Sequence, residues 1–536
     1  MAWPFSRIAT NNNPARRKMK MKQWLWLLGM TMVMGLSSTA VSFEPDMDLA
    51  LAPVAYRGII NYGYSGWSLS AGDVDKDGRT DFLIGGNRVY LVLGKTMGKA
   101  LGDSVAAAAS ASFLPEASFE DFGHGVSMSG DVNNDGVDDI LISAKRHDAS
   151  RGKTYLILGK NQGWAMDTPI LNAADTVFPG EHQGDWSGSS VCFTGDVNGD
   201  GMDDILIGAY MADAGGRVNA GRTYLFFGRE TGWHAQMSLA SADVIFDGPA
   251  QGMGSGRKVS PAGDVNGDGI DDLLIGAPGG QDNRGQVFVV LGRSGQWVSP
   301  FDLSSAHASF TGESVLDSAG SSLSAAGDVN GDGLGDFLIG ADENDTGADR
   351  AGKAYLVFGR TSGWEGNTVL SSDHIASFTG EAAGDHLGAC VGAAGDVNND
   401  GFDDFLLGAT WADQYAGKAY LVYGRDSDWG RNVSAGTLGA SFLGEAGYDY
   451  AGFSFFPAGD INGDGNHDFL MGAPYFGSQY IGKTYLYFSD APVFGDEDQD
   501  GDVDGQDLVS RIFSAAGMDL ERFARGFGYV PEMGGL

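Results

Sequence analysis

A nine-residue phrase recurs seven times in this chain and constrains its fold more than any other feature. The first copy runs Asp73-Val-Asp75-Lys-Asp77-Gly78-Arg-Thr-Asp81. Later copies begin at Asp131, Asp196, Asp264, Asp328, Asp396 and Asp460, at spacings of 58 to 68 residues. A fixed period of this length is the signature of a repeat architecture in which each copy is one supersecondary unit.

Each copy lies in the same succession of short apolar segments. In the fifth repeat these are residues 322–327 before the phrase and 336–340, 354–358 and 376–379 after it. Such segments, separated by glycine-rich loops, indicate strands, and no helical periodicity that could supply crossover helices runs between residues 54 and 488. Four strands per repeat is the content of a propeller blade. We therefore predict an all-β, seven-bladed β-propeller of four-stranded blades over residues 54–489.

The ends of the repeat region predict how the ring closes. The last repeat ends at its third strand, residues 484–488, and lacks a fourth. A surplus strand around Tyr56 precedes the first repeat and aligns with the fourth strand around Phe442. The matching surplus and deficit favour a ring in which the N-terminal strand completes the last blade, which protects sheet edges. An open, linear array of repeats is the alternative.

The phrase itself is an oxygen-rich loop. Acidic or amide side chains at positions one, three and five point to one side of a tight turn, and glycine at position six permits a sharp change of direction. Position seven offers a carbonyl, and the aspartate at position nine closes the site. Hard oxygen ligands on a flexible loop favour Ca²⁺ over zinc, copper or magnesium. Bound ions of this kind would brace each blade and stabilise the fold by linkage.

The predicted Ca²⁺ ligands occupy positions one, three, five and nine of the seven copies. They are Asp73, Asp75, Asp77 and Asp81; Asp131, Asn133, Asp135 and Asp139; Asp196, Asn198, Asp200 and Asp204; Asp264, Asn266, Asp268 and Asp272; Asp328, Asn330, Asp332 and Asp336; Asp396, Asn398, Asp400 and Asp404; Asp460, Asn462, Asp464 and Asp468.

An eighth calcium loop is predicted in the tail, residues 490–536. Asp496, Asp498, Asp500 and Asp507 have the twelve-residue spacing of an EF-hand loop, with Asp507 where a glutamate usually closes the site. The loop resembles that of dockerin modules and continues into a predicted short helix, residues 508–515. Dockerins carry two such loops, so we interpret the tail as a small calcium-braced extension rather than a cohesin-docking module.

The repeat resembles the FG-GAP repeat of integrin alpha subunits. Residues 263–278 carry it most fully, with Gly-Asp-Val-Asn-Gly-Asp-Gly-x-Asp-Asp followed by Leu-Ile-Gly-Ala-Pro. The resemblance covers about residues 54–488. It implies a seven-bladed propeller, calcium ligands at the matching positions and, less directly, adhesion or recognition. Integrin alpha chains continue into β-sandwich domains, a membrane helix and a cytoplasmic tail, which this sequence does not repeat, so a beta-subunit partner is not carried over.

Charge excludes some partners. The formal net charge is −36, which opposes binding to nucleic acid phosphates and to anionic membrane surfaces. Eight bound Ca²⁺ ions would bring this to −36 + 16 = −20. Much of the acidity therefore belongs to the predicted metal loops, and we expect a monomer with an extracellular protein or glycan ligand and no nucleic acid partner.

The first forty residues have the pattern of an export signal. Arg16, Arg17, Lys18, Lys20 and Lys22 form a positive region, an apolar run covers residues 24–36, and Ser38-Thr39-Ala40 supplies small residues for cleavage. Translation starting at Met19 or Met21 would leave a more typical signal. An uncleaved membrane anchor is the alternative. We predict a signal peptide over 1–40, a linker over 41–53, no transmembrane anchor in the mature chain and a secreted, periplasmic or cell-surface location.

Cys192 and Cys390 fall in the first strands of blades three and six, on opposite sides of a seven-membered ring. A disulfide needs Cα atoms within about 7 Å. We therefore predict two free, buried thiols.

Aromatic residues are concentrated in the loops that should lie opposite the calcium loops. They are Tyr210, Trp411, Tyr415, Tyr475, Phe476, Tyr480, Trp186, Tyr448 and Tyr450. Exposed aromatic side chains are typical anchors of interfaces and ligand pockets. Packing between blades is the structural interpretation, and binding of a protein or glycan is the functional one.

The sequence therefore predicts an exported, calcium-binding adhesion or recognition module that is not an enzyme. No metalloprotease or serine-hydrolase motif occurs. A secreted hydrolase or lyase acting on polysaccharide or lipid head groups stays open, because propellers of this type also accompany a phospholipase D specific for glycosylphosphatidylinositol. A purely structural surface protein is the third possibility.

Overall fold

The apolar segment that follows each nine-residue phrase forms the second strand of a blade. In the fourth blade this strand is Asp272–Ala277, and all six of its residues are buried. A continuous buried run is what a strand covered on both faces requires. The computed structural model describes residues 46–52, 54–94, 104–372, 375–462 and 465–489, and these residues form seven sheets. The predicted seven-bladed propeller is confirmed.

Each blade has four antiparallel strands. The first strands are Leu69–Gly72, Phe122–Gly130, Ser187–Phe193, Lys258–Gly263, Ser322–Gly327, Leu387–Gly395 and Ser454–Gly459. The second strands are Asp81–Ile84, Asp139–Ala144, Ile205–Ala209, Asp272–Ala277, Asp336–Ala341, Asp404–Ala409 and Asp468–Ala473. The third strands are Val89–Val92, Lys153–Ile157, Arg222–Phe226, Gln286–Val290, Lys353–Val357, Lys418–Val422 and Lys483–Tyr487. The fourth strands are Ala111–Leu114, Thr176–Pro179, Val244–Asp247, Ala308–Thr311, Ala376–Thr379, Ala440–Leu443 and, for the last blade, Val54–Arg57.

The ring is closed by the strand Val54–Arg57. It pairs antiparallel with the third strand of blade seven, with Tyr56 opposite Thr484. The first strands of consecutive blades contact one another in an unbroken cycle, and this cycle includes the contact between blade seven and blade one. An open array of repeats would lack that last contact.

Both cysteines are free, and they lie in the first strands of blades three and six. Cys192 is buried, as expected, but Cys390 is only partly buried, and the prediction of two buried thiols was wrong for this residue. Cys390 lies opposite Gly408, directly after a β-bulge in its strand.

Most sheets carry a fifth, short strand that the sequence pattern did not predict. These strands are Met47–Asp48, Thr168–Pro169, Phe301–Asp302, Gly366–Val369 and Val433–Ser434. Each pairs parallel with the fourth strand of a blade, although it belongs to the chain segment just before the fourth strand of the next blade. Single parallel bridges, Val177 to Gln236 and Arg57 to Ser104, complete the pattern in the remaining two blades. The fourth strand of every blade is therefore hydrogen-bonded to a chain segment that leads into the next blade.

Helical structure in the described residues is limited to short turns. One group precedes the fourth strands: Leu49–Leu51, Val105–Ala108, Ile170–Ala173, Leu239–Ser241, Leu303–Ser305 and Ala435–Thr437. A second group joins second and third strands: His147–Ser150, Gly280–Asn283, Ala412–Tyr415 and Phe476–Tyr480. None of the helices in this part of the chain is long and apolar enough to cross a membrane.

The hydrophobic core lies between the blades. One cluster packs Leu83 and Leu91 of blade one against Ile140, Ile142 and Tyr155 of blade two. Equivalent clusters fill the other interfaces between neighbouring blades. Since apolar burial is roughly proportional to the area removed from water, the stability of each blade depends on its neighbours.

Ion pairs cross five of these interfaces on the same plan. A glutamate just after a fourth strand reaches a lysine or arginine that opens the third strand of the next blade. The pairs are Glu116–Lys153 at 2.6 Å, Glu181–Arg222 at 3.1 Å, Glu313–Lys353 at 2.8 Å, Glu381–Lys418 at 2.7 Å, and Glu445–Lys483. The Lys353 side chain is only 1% exposed, so this pair is the most deeply buried of the five.

Candidate functional site

The nine-residue phrase forms the loop between the first and second strands of every blade. In blade four, both carboxylate oxygens of Asp264 accept backbone N–H groups, from Asp268 at 3.1 Å and from Gly269 at 2.7 Å. Gly269 has a φ of 83° with open space around it, so the left-handed backbone rather than crowding demands glycine. The same bonds recur in the described part of the other loops, and they hold the position-one carboxylate inside the turn.

The aspartate at position nine anchors each loop to the blade. All seven are fully buried: Asp81, Asp139, Asp204, Asp272, Asp336, Asp404 and Asp468. In blade four, Asp272 accepts N–H groups from Val265 in the loop and from Gly292 beyond the third strand, at 3.0 and 2.7 Å. Burial raises the pKa of Asp272 to about 7. A carboxylate in this position is costly to ionise without a nearby cation.

The structure brings three predicted ligands together in the first loop. Carboxylate oxygens of Asp73, Asp75 and Asp81 lie within 4.8 Å of one another. In two of the loops with asparagine at position three, the amide donates to the aspartate at position five: Asn133 to Asp135 at 3.0 Å and Asn398 to Asp400 at 2.9 Å. Position five is exposed throughout the described loops.

These donors fit a hard divalent cation. Each loop offers carboxylate or amide oxygens, without the sulfur or imidazole ligands that softer ions prefer. Asp464 of the seventh loop, and Asp496, Asp498, Asp500 and Asp507 of the predicted tail loop, lie outside the described residues, as does the predicted export signal.

The aspartate at position eight has a role that sequence analysis missed. Asp138, Asp203, Asp271 and Asp403 each accept the backbone N–H of position one in the preceding blade, at distances of 2.6 to 3.1 Å. Burial raises the pKa of each of these carboxyl groups. These bonds join the loops of four neighbouring pairs of blades: one and two, two and three, three and four, and five and six. The sequence signal for this role was the pair of adjacent aspartates at positions eight and nine, which recurs in four of the seven copies.

Aromatic side chains form a belt among the loops on the other end of the blades. Starting at Trp411, rings follow one another through Tyr415, Tyr450, Tyr475 and Tyr64, with centroids 4.8 to 5.7 Å apart. We call these five residues the aromatic belt. Tyr448 stacks on Tyr415 at 5.2 Å, and Tyr480 stacks on Tyr64 at 6.0 Å.

The belt is neither buried nor fully exposed. Trp411 is 40% exposed, and the other four belt residues are half-buried. The stacked neighbours of the belt, Tyr448 and Tyr480, are 62% and 39% exposed. Burial raises the pKa of the phenols of Tyr64, Tyr450 and Tyr475, which therefore stay neutral and able to donate hydrogen bonds. Partly exposed rings with neutral hydroxyl groups are typical of recognition surfaces.

The remaining predicted aromatic residues lie elsewhere. Trp186 and Tyr210 form a separate pair with ring centroids 6.0 Å apart. Phe476 packs under Lys483, whose ammonium lies 4.8 Å from the ring centre, and takes a structural role. Sequence analysis missed Tyr64, although the run Tyr62-Gly-Tyr64-Ser-Gly-Trp67 carried the signal.

Basic side chains surround the Trp186–Tyr210 pair. Arg146 and Lys145 lie 5.3 and 5.7 Å from the Trp186 ring centre, and Arg257 lies 5.8 Å from that of Tyr210. Burial lowers the pKa of Lys145 to about 8, with Arg146 adding to the shift. This cationic arc stands out in a chain of net charge −36.

The fold and loops define a class: a seven-bladed propeller with an acidic hairpin loop in every blade. The FG-GAP repeat family matches residues 65–92, 187–226, 255–290, 319–357, 391–422 and 453–487. The second repeat falls outside these matches, yet its strands and loop have the same arrangement as the others.

The chain is similar to several integrin alpha subunits. It is 31% identical to integrin alpha-IIb of Homo sapiens over 238 residues and 30% identical to integrin alpha pat-2 of Caenorhabditis elegans over 220 residues. It is 28% identical to integrin alpha-5 of Xenopus laevis over 304 residues. The matches cover 40%, 40% and 51% of this chain, but only 21%, 17% and 26% of those relatives. The chain is a seven-bladed propeller similar to the FG-GAP repeat region of integrin alpha subunits, and it spans about a sixth to a quarter of these relatives' length.

Proposed function

We propose that this protein is an exported recognition module that binds an extracellular protein or glycan through the aromatic belt, on a propeller braced by Ca²⁺. The observation that carries the proposal is the belt itself, a continuous and partly exposed row of rings on one end of the blades. Similarity to integrin alpha subunits supports recognition over catalysis.

Ca²⁺ is proposed to bind at positions one, three, five and nine of the seven hairpin loops. Its charge would offset the cost of ionising the buried carboxylates at position nine, exemplified by Asp272. The proposed role of the ion is to stabilise the fold and not to contact the partner. The hairpin loops lie at the end of the blades opposite the aromatic belt, where the partner is proposed to bind. The proposal of export is supported by the signal-like sequence of residues 1–40. The predicted loop in the tail would bind an eighth Ca²⁺ ion.

Binding of Ca²⁺ is tested by melting the purified full chain in calcium and in chelator. We expect a lower melting temperature in chelator, since a ligand that binds only the folded state stabilises it. Asp268→Asn keeps the acceptor for the Ile270 N–H but removes a charge, and should shrink the calcium-dependent shift. Asp349→Asn, an exposed change in a loop at the other end of the blades, is the control. Equal melting temperatures in calcium and chelator would reject the brace.

Recognition is tested by measuring binding of the full chain to a glycan panel and to cell-surface extract in calcium. Trp411→Ala and Tyr450→Ala should each weaken saturable binding without lowering the melting temperature substantially. Val298→Ala changes an exposed apolar residue in the connection between the third and fourth strands of blade four, away from the belt, and should bind normally. Saturable binding that survives both belt substitutions would place the partner elsewhere, and product formation from a panel member would favour a hydrolase or lyase.

A further inference from the structure

Two acidic residues and a histidine meet where blade five adjoins blade six, on the same end as the aromatic belt. Asp342 and Glu343 directly follow the second strand of blade five, and His386 directly precedes the first strand of blade six. The His386 Nδ1 lies 3.9 Å from Asp342 Oδ2 and 3.9 Å from Glu343 Oε1. The three ligand atoms all lie within 4.8 Å of one another.

The histidine is buried with an unused nitrogen. Its side chain is 2% exposed, and Nδ1 makes no hydrogen bond. A buried polar atom left without a partner destabilises the fold. A charged imidazole bonded to these carboxylates would bring nitrogen and oxygen to about 2.7–2.9 Å. The observed separation is too long for that, and the nitrogen faces a space bounded by both carboxylates.

The separations suit a shared metal ion. Nitrogen and oxygen ligands lie about 2.0–2.2 Å from Zn²⁺, so two ligands on one ion lie at most about 4.2 Å apart. The two 3.9 Å distances fall inside this limit, and a small inward movement would bring them to tetrahedral spacing.

Neighbouring groups orient both carboxylates. Ser321 Oγ donates to Asp342 Oδ1 at 2.8 Å, which leaves Oδ2 toward the histidine. Arg350 Nε lies 3.3 Å from Glu343 Oε2, which leaves Oε1 toward it. Each carboxylate is thus held by one oxygen and presents the other, as the outer partners of metal ligands commonly arrange.

We propose that Asp342, Glu343 and His386 bind a divalent transition ion of the zinc class. An imidazole nitrogen with two carboxylate oxygens favours such an ion over Ca²⁺, which takes oxygen ligands. Three protein ligands leave a coordination position for water. The site differs from the seven hairpin loops in ligands and in location, and it joins two blades beside Trp411, whose ring centre lies 4.0 Å from that of His386.

The equivalent positions in other blades show that the cluster is not a by-product of the repeat. Between blades two and three the same two positions after the second strand hold Lys145 and Arg146, and Trp186 takes the place of His386. Both Trp186 and His386 have a φ of 56°, so the backbone is shared and only the side chains differ.

The test is a Zn²⁺ titration of the full chain by calorimetry, with Ca²⁺ in excess to saturate oxygen-only loops. We expect the wild type to bind one more Zn²⁺ ion than Glu343→Gln or His386→Phe, and Asp349→Asn to match the wild type. Ser321→Ala should keep the site but weaken it by about 10- to 100-fold. Co²⁺ substituted for Zn²⁺ should quench tryptophan fluorescence less in Trp411→Phe than in the wild type.

If His386→Phe does not fold, the Glu343→Gln variant alone tests the proposal. The Glu343 side chain is 36% exposed, so we expect replacement by glutamine to leave the fold intact. Equal Zn²⁺ stoichiometry and affinity in the wild type and Glu343→Gln would overturn the proposal. So would Co²⁺ quenching that does not depend on Trp411.

Discussion

The ion pair between Glu313 and Lys353 offers a quantitative test of how the blades are joined. The Glu313→Gln substitution removes the charge while keeping the side chain's size. Lys353 Nζ lies 2.8 Å from Glu313 Oε1, and the lysine side chain is 1% exposed. Burial already lowers the pKa of Lys353 below its ordinary value of 10.5, with Glu313 opposing the shift. Without Glu313 the ammonium is left buried and loses its main stabilising charge.

The expected loss of stability follows from two limits. Removing one partner of a buried ion pair typically costs about 3–5 kcal/mol. Lysine can instead lose its proton on folding, which at about pH 7.5 costs about 4 kcal/mol, because each pKa unit below 10.5 is worth about 1.4 kcal/mol. We therefore expect the free energy of unfolding to fall by about 3–4 kcal/mol at this pH.

The second limit also gives the sign of the pH dependence. In the variant the folded-state pKa of Lys353 lies below the unfolded-state value, so protonation favours the unfolded chain and the deficit shrinks as pH rises toward 10.5. At about pH 9.5 the cost of deprotonation is only about 1.4 kcal/mol. The difference between variant and wild type should therefore narrow by about 2–3 kcal/mol.

The assay is urea unfolding of both proteins in saturating calcium, followed by tryptophan fluorescence across this pH range. Asp148→Asn is the matched control, because it breaks a pair with Arg151 at 2.9 Å whose side chains are 50% and 36% exposed. Exposed pairs contribute about 0–1 kcal/mol. Similar losses for the two variants, or a deficit in Glu313→Gln that does not change with pH, would refute the argument from burial.

Three further predictions concern other parts of the ring. Burial raises the pKa of Asp449 to about 6. Its contribution to stability is lost as pH rises from 3.8 through 6, so Asp449→Asn should raise the melting temperature at about pH 7.5 but not at about pH 3.5. The variant keeps an acceptor for the Ala446 N–H, and destabilisation at the higher pH would contradict the reasoning. Asp271→Ala removes the acceptor for the Asp196 N–H of the preceding blade and should cost about 1–2 kcal/mol in urea unfolding, with no loss as the contrary result. Burial raises the thiol pKa of Cys192 to about 12 and of Cys390 to about 11, so neither should be alkylated at neutral pH until the protein unfolds, as mass spectrometry can follow.

Features that repeat in side-chain pattern were predictable. The acidic phrase marks the hairpin loop, and the apolar run after it marks the buried second strand. The surplus strand around Tyr56 and the missing fourth strand of the last blade gave the ring closure. These signals depend on residue type at fixed spacing, which a single sequence displays directly.

Features that depend on backbone contact or on a single side chain were not predictable. The fifth strands, such as Thr168–Pro169, pair through two residues and need no particular side chain. The bond from Asp196 N–H to Asp271 crosses between repeats, so a pattern read within one repeat cannot reveal it. His386 is one of eight histidines in the sequence, and only folding brings it beside Asp342.

The pairing of the N-terminal segment with blades six and seven has a consequence for the rate of folding. Asp46 N–H donates to Ser441 Oγ across 395 residues of sequence, Met47–Asp48 extends blade six, and Val54–Arg57 completes blade seven. The N-terminal strand Val54–Arg57 can therefore pair only after the last blade has been synthesised. Contacts between residues so far apart in sequence require a loss of chain entropy before they add any stabilising interaction, which slows their formation. We therefore expect ring closure to be a late folding step, before which Lys483–Tyr487 is an unpaired edge strand that another chain could pair with. On this reasoning, we expect the protein to be most prone to aggregate between the folding of the last blade's own strands and the closure of the ring.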